Sequence, residues 1–304
     1  MNVTVFTLSE GRYHYGVAAL INSLSACGFK GDVAIYYKGD LPPWTRSLPR
    51  SGEQTFQVQR LRLVFKRAEI KRHLGYHKPF AALDELTANP DSEAVVYADP
   101  DILFLAPWTF FEEWLGMGVA LCLDSNFPDL SENHPWRKTW KGLLKRATGQ
   151  ESLPITSYPN SGFFGVTRAD SDFLRSWSEV TRKFEEEGGN TISFDLKNRH
   201  KPIVGDQDLL AATLMGWKKN TSILGQEGMG FTGHHFILAH NVGAPKPWDK
   251  SYVREALKGM RPTPGEALYL KFANGPLSPY SADELAAKQW DFRFAQLISR
   301  VWSR

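Results

Sequence analysis

The chain has 304 residues with 36 Lys plus Arg against 33 Asp plus Glu, a net charge of +3. It is long enough to bury a substantial core as one large α/β domain or two small ones, and its charge balance argues against a nucleic-acid partner. Two cysteines, Cys27 and Cys122, supply neither a disulfide framework nor metal-ligand spacing and fit core positions in a reducing compartment. The opening MNVTVFTLSE lacks the basic and apolar regions of a signal peptide, and no run reaches the roughly 18 to 20 apolar residues of a membrane span. The expected location is therefore cytoplasmic.

VTVFTL (3–8) predicts a first strand, YGVAALINSLSA (15–26) a helix, VAIYY (33–37) a second strand and FQVQRLRLVF (56–65) a third. KPFAALDELTA (78–88) reads as a helix, EAVVYA (93–98) as the central strand and GVALCLD (118–124) as another. Residues 125–157 form a less regular insertion containing Trp and Pro, of the kind that makes lids and binding loops. FLRSWSEVTRKFEEEG (173–188) and DQDLLAATLMGW (206–217) are helical, and HHFILAH (234–240) reads as a late strand. Such alternation predicts an α/β fold around a mostly parallel, Rossmann-like sheet flanked by helices.

YADPDILF (97–104) carries the first chemical signal. Pro100 pushes Asp99 out of the helical region, so Asp99 and Asp101 sit on extended backbone with their side chains on the same side. Two converging carboxylates repel unless a cation or proton neutralises them, and Mg²⁺ or Mn²⁺ prefers such oxygen ligands. The pair also falls at the carboxyl end of a strand, where open α/β sheets bind ligands. An ordinary Asp-Pro-Asp turn is the plain alternative.

A third ligand is expected far along the chain, and HNVGAPKPW (240–248) offers one. His240 ends a strand-like run, and Lys246 follows in a Gly/Pro-rich loop that can return its ammonium to the same point. Imidazole suits Mn²⁺, while a lysine suits a diphosphate bridging that metal. His234 and His235 lack a following lysine and rank below His240.

These motifs resemble the family 8 glycosyltransferases of the GT-A fold, retaining enzymes that include bacterial lipopolysaccharide galactosyl- and glucosyltransferases. The resemblance covers most of residues 3–248. It implies that Asp99, Asp101 and His240 hold Mn²⁺ or Mg²⁺, and that Lys246, in the loop with Gly243, clamps the diphosphate of a UDP-sugar. SEGRYHYG (9–16) resembles the loop that holds the nucleoside, implying roles for Glu10, where the family usually carries Asp, and Tyr13. YPNSGFFGV (158–166) implies that Asn160 binds the donor sugar and that Gly162 admits it. VGDQDLLAATL (204–214) implies that Asp206 holds sugar hydroxyls while Gln207 lies under the anomeric carbon. Lys78, in GYHKPFAAL (75–83), stands where the family carries an arginine reaching the donor nucleotide.

The resemblance thus implies a catalytic domain over 1–250, an extension over 251–304, and transfer to a glycan or lipid-linked acceptor. Within the extension, Ser281 and Glu284 predict a capping box, and Trp290, Phe294, Leu297, Ile298 and Val301 share one helical face. Lys288, Arg293, Arg300 and Arg304 occupy other positions, with Trp302 beside the stripe. Such a helix suits either an anionic membrane surface at the inner face or packing against the domain. Among other classes, a sugar-nucleotide pyrophosphorylase needs a Gly-rich loop that SEGRYHYG does not supply. A haloacid-dehalogenase-type phosphatase usually has Thr or Val where Leu103 stands. An inverting GT-A enzyme and a non-catalytic nucleotide-sugar-binding module stay open.

Overall fold

The structure, a computed structural model, describes residues 1–302 apart from Leu196 and the side chain of Trp302. Arg304 lies outside the described residues. The first half comprises β1 (Val3–Glu10), α1 (His14–Ala26), β2 (Gly31–Lys38), β3 (Arg50–Gly52), β4 (Thr55–Val58), β5 (Leu61–Arg67), α2 (Lys78–Ala88), β6 (Ala94–Ala98), β7 (Ile102–Phe104), α3 (Trp108–Leu115) and β8 (Val119–Leu123). There follow α4 (Pro135–Thr148), β9 (Pro159–Thr167), α5 (Ser171–Glu186), α6 (Asp206–Leu214), β10 (Thr221–Leu224), β11 (Leu238–His240), α7 (Tyr252–Leu257), α8 (Pro264–Phe272) and α9 (Ala282–Trp302).

The architecture is α/β, with a nine-stranded sheet in the order β10-β8-β9-β6-β1-β2-β5-β4-β3. Only β4 and β9 run against the rest, so the sheet is mostly parallel. Period-two alternation sorts its side chains into two cores. Val3, Val5, Val33, Ile35 and Val96 pack with α1 and α3, whereas Phe6, Leu8, Ala34, Val95 and Phe164 pack with α2, α4, α5 and α6. From β1 the chain moves to β2 on one side and later to β6 on the other. That reversal of direction makes a switch point, and its crevice opens beyond Glu10 and Ala98.

Three sequence readings change in detail. The run 56–65 is not one strand but the hairpin β4–β5, because Gln59 adopts φ 51° and reverses the chain. The insertion 125–157 is more ordered than its composition implies, since it contains α4. His134 Nδ1 caps that helix by accepting from Trp136 N at 3.3 Å, Pro135 sits at its first position, and Gly149 closes it at φ 72°. Of HHFILAH, only the last three residues are strand, and they pair with β7 in a separate two-stranded ladder.

The C-terminal segment is joined to the sheet-bearing body by a third core, in which Trp248 packs with Tyr252, Tyr269, Leu285, Phe292 and Ala19 of α1. Asn22 Nδ2 donates to the carbonyls of Phe272 and Leu277, both at 2.7 Å, and its Oδ1 accepts from Leu277 N at 3.0 Å. The predicted Ser281–Glu284 capping box is present, with bonds of 2.8 and 3.3 Å. Among the described residues, no helix is long and apolar enough to cross a membrane.

Buried Arg137 on α4 ties the insertion together, donating to Leu130 O at 3.0 Å and Thr156 O at 2.7 Å. Arg137→Ala leaves Leu130 O without its donor, while Thr156 O keeps its bond from Leu130 N at 2.8 Å, and should cost about 1 to 3 kcal/mol, measured as a lower denaturant midpoint with an unchanged m-value.

Candidate functional site

The site forms because three chain segments meet at the switch point. β6 ends at Ala98, and Ile102 N donates to Asp99 O at 2.9 Å, closing the Asp-Pro-Asp turn. β7 then pairs antiparallel with β11, with His240 opposite Ile102. Asn241 N extends that ladder by donating to Asp101 O at 3.0 Å. This short ladder carries an imidazole from far along the chain to the two carboxylates. Their candidate ligand atoms all lie within 4.8 Å of one another.

His240 Nε2 lies 3.4 Å from Asp101 Oδ1 and 3.9 Å from Asp99 Oδ2. Around Mg²⁺, neighbouring ligands at about 2.1 Å stand about 3 Å apart, so His240 lies within about an ångström of that spacing from each carboxylate. Gly162 makes room for it. A Cβ there would lie 2.6 Å from His240 Cε1 and 3.0 Å from Asp99 Oδ2. The donor set of two carboxylates and one imidazole also suits Mn²⁺ or Mg²⁺ chemically. Among the described residues His240 Nδ1 is buried without a hydrogen-bond partner, and the Phe231 ring packs against the imidazole at 5.7 Å.

Lys246 currently meets the negative charge. Its ammonium contacts Asp101 and donates to Asn241 O at 3.1 Å. Burial alone pushes the Asp101 carboxyl up, but His240 and Lys246 outweigh it and hold the group well below the usual carboxylate range. Burial likewise pulls Lys246 down, and Asp101 more than restores it, so the lysine is firmly charged.

Lys78 sits beneath this pair rather than at its rim, only 4% exposed. Its ammonium reaches Asp206 at 2.8 Å, Ser161 O at 2.9 Å and Asp99 at 3.3 Å. Burial disfavours its charge, yet Asp206 and Asp99 hold the group above the ordinary lysine range. A single buried cation therefore bridges a metal-type carboxylate and the first residue of α6.

All twelve residues singled out in the sequence line one cleft of about 470 Å³. Glu10 and Tyr13 stand at its β1 side, Gly243 and Lys246 at the β11 side, and Asp206 and Gln207 at the N-terminus of α6. Gln207 Oε1 accepts a long bond of 3.4 Å from Ser161 N. Asn160 is held at both ends, donating to Asp124 Oδ2 at 3.0 Å and accepting from Gly162 N at 2.9 Å. Gly243 has φ 88°, which lets the loop turn back over the cleft.

Several residues of the site escaped sequence reasoning. Tyr97 donates its hydroxyl to Asp99. Period two on a strand could have found it, because residue i−2 shares the face of Asp99. Asp124 orients Asn160 and also accepts from Asn126 N at 2.9 Å and Phe127 N at 3.1 Å. Its place just beyond β8 was the available signal. Gly16, inside α1, lets that helix touch the Asp-Pro-Asp turn: a Cβ there would lie 2.3 Å from Pro100 O and 2.7 Å from the Trp248 ring. An isolated glycine within a helical pattern is the cue for such an approach.

Two substitutions test the cluster by calorimetry with Mn²⁺ alone. Gly162→Ala should abolish binding without unfolding the protein, because the added methyl separates His240 from Asp99. Lys246→Met should instead tighten binding by roughly tenfold, about 1.4 kcal/mol, since the lysine competes with the ion for Asp101. No protein-family model and no curated protein matches the chain.

Proposed function

We propose that the protein is a metal-dependent glycosyltransferase, moving a hexose from a UDP-sugar to a glycan or lipid-linked acceptor in the cytoplasm with retention of configuration. One observation carries the reading. Asp99, Asp101 and His240 converge beside Lys246 at a sheet switch point, across a single cleft from Asp206 and Gln207.

Mn²⁺ or Mg²⁺ held by Asp99, Asp101 and His240 would supply Lewis-acid neutralisation of the diphosphate. The chain's own groups do the rest. Tyr13, 37% exposed at the cleft, offers a ring face to uracil, and Glu10 offers a carboxylate to ribose hydroxyls. Lys246 exchanges Asp101 for the diphosphate and opposes the charge that builds on the leaving oxygen. Asp206 and Asn160 accept from sugar hydroxyls, while Gly162 keeps the floor of the site open.

If configuration is retained, the nucleophile candidates decide the route. Gln207 carries an amide, which attacks carbon poorly, and the Asp206 carboxylate is already bound by Lys78 at 2.8 Å. Attack by the acceptor hydroxyl on the leaving-group face is then favoured, with a phosphate oxygen of the departing UDP taking its proton. The Gln207 carbonyl steadies the cationic sugar from the opposite side.

Incubation with Mn²⁺ and a panel of UDP-hexoses tests this reading. One donor should release UDP slowly without acceptor, and the transferred sugar should keep its anomeric configuration by NMR. Absence of UDP from every donor would leave a binding module, and an inverted product would leave the inverting alternative. Gln207→Ala should lower the rate on the order of 10²-fold while leaving UDP affinity nearly unchanged.

A further inference from the structure

Gln207 has two neighbours that leave its amide a single orientation. Its Oε1 accepts from Ser161 N at 3.4 Å, and because a backbone N–H only donates, that end is the carbonyl. At the other end stands the Tyr158 hydroxyl. Burial first, then Asp208, push that phenol far above the ordinary tyrosine range, and a hydrogen bond from the Gln207 side chain pulls the other way. Of the two amide ends only the N–H favours a phenolate oxygen, so the amino end faces Tyr158.

The destination of the phenol proton completes the account. Tyr158 donates to Asp208 Oδ1 at 2.7 Å, while Asp208 Oδ2 accepts from Val204 N at 2.8 Å and Gly205 N at 3.1 Å. Asp208 is 1% exposed. Burial pushes its carboxyl up to about 6, and the bonds from Val204, Tyr158 and Gly205 oppose any further rise. At neutral pH the group is therefore ionised and accepts only. A hydroxyl carries one proton, so once Tyr158 has given it to Asp208 its oxygen is left to accept. The phenol is also fixed in place. Its ring stacks on Trp140 of α4 at 5.7 Å and an interplanar angle of 4°, its backbone N donates to Pro128 O at 2.9 Å, and its carbonyl accepts from Asp124 N at 3.0 Å. Capping α6 needs only the bonds from Val204 and Gly205; the bond from a rigid phenol adds nothing to the cap.

We infer that Tyr158 and Asp208 are positioning residues that select which end of the Gln207 amide enters the cleft: Asp208 takes the phenol proton, the phenol oxygen takes an amide N–H, and the carbonyl is left to Ser161 and the sugar. An amide turned the other way would set its positive end against a cationic sugar. The effect on catalysis rests on the reading of Gln207 as the group beneath the anomeric carbon, whereas the orientation itself does not.

The experiment has two arms. Without substrate, the Gln207 side-chain amide, assigned by NMR through its loss in Gln207→Ala, should exchange with solvent several-fold more slowly in wild type than in Tyr158→Phe, which keeps the ring against Trp140. With Mn²⁺ and the active UDP-hexose, Tyr158→Phe should lower kcat roughly tenfold at a nearly unchanged donor KM. Asp208→Asn should lower kcat further, on the order of 10²-fold, because the new amide keeps its carbonyl for Val204 and Gly205, donates to Tyr158 and turns the phenol proton onto Gln207. Equal exchange in wild type and Tyr158→Phe overturns the inference. So does an Asp208→Asn protein that loses no more kcat than Tyr158→Phe, or that loses rate through a raised KM, as a simple cap would. If no UDP-hexose turns over, the transferase reading falls and the exchange arm still decides the orientation.

Discussion

Two carboxylates held on one turn, one of them almost wholly buried, form the constraint around which the rest of the molecule is arranged. Asp101 is 4% exposed, and desolvation by itself would push its carboxyl up. It stays ionised because His240 and Lys246 approach from a segment that pairs with the strand following the turn. Charge compensation and chain topology are thus one feature. The β7–β11 ladder exists to bring basic groups to acidic ones, and the close packing at Gly16 and Gly162 exists because nothing larger fits beside them.

The sheet explains why that constraint sits where it does. β1 and β6 are neighbours whose connections leave in opposite directions, so their carboxyl ends frame a crevice that no crossover covers. The antiparallel strand β9 runs beside β6 and delivers Asn160, Ser161 and Gly162 to the same end. α6 then enters with its N-terminus at the crevice, so Asp206 and Gln207 stand in its first turn, where backbone N–H groups favour negative charge. With Lys78 on α2 and the His240–Lys246 segment, six separate stretches of chain share one opening.

Much of this was legible from local pattern. The central strand, α2 and the helix at 206 follow from apolar periodicity, and the Asp-Pro-Asp turn follows from the restriction that proline places on its predecessor. What sequence could not give was contact between distant segments. The hairpin within 56–65 hides behind continuous β-type composition, since only the conformation of Gln59 betrays the reversal. α4 hides behind its Trp and Pro content, although Pro135 and Gly149 mark its two ends. α9 shows the same limit differently. Its apolar stripe was read correctly as a stripe, but periodicity cannot say which of two apolar faces the protein keeps for itself. The core took Leu285, Phe292 and Ala295 because Asp291 binds the start of α7 and sets the rotation.

Lys78 couples two of the cleft's carboxylates. Its ammonium touches both Asp99 and Asp206 and stands 4.9 Å from the centre of the Tyr97 ring. Neither carboxylate can shift or change charge without altering the other's share of that one cation. A divalent ion drawing on Asp99 would leave Lys78 more fully to Asp206. Asp99 and Asp206 are therefore coupled through one buried group that meets solvent at neither.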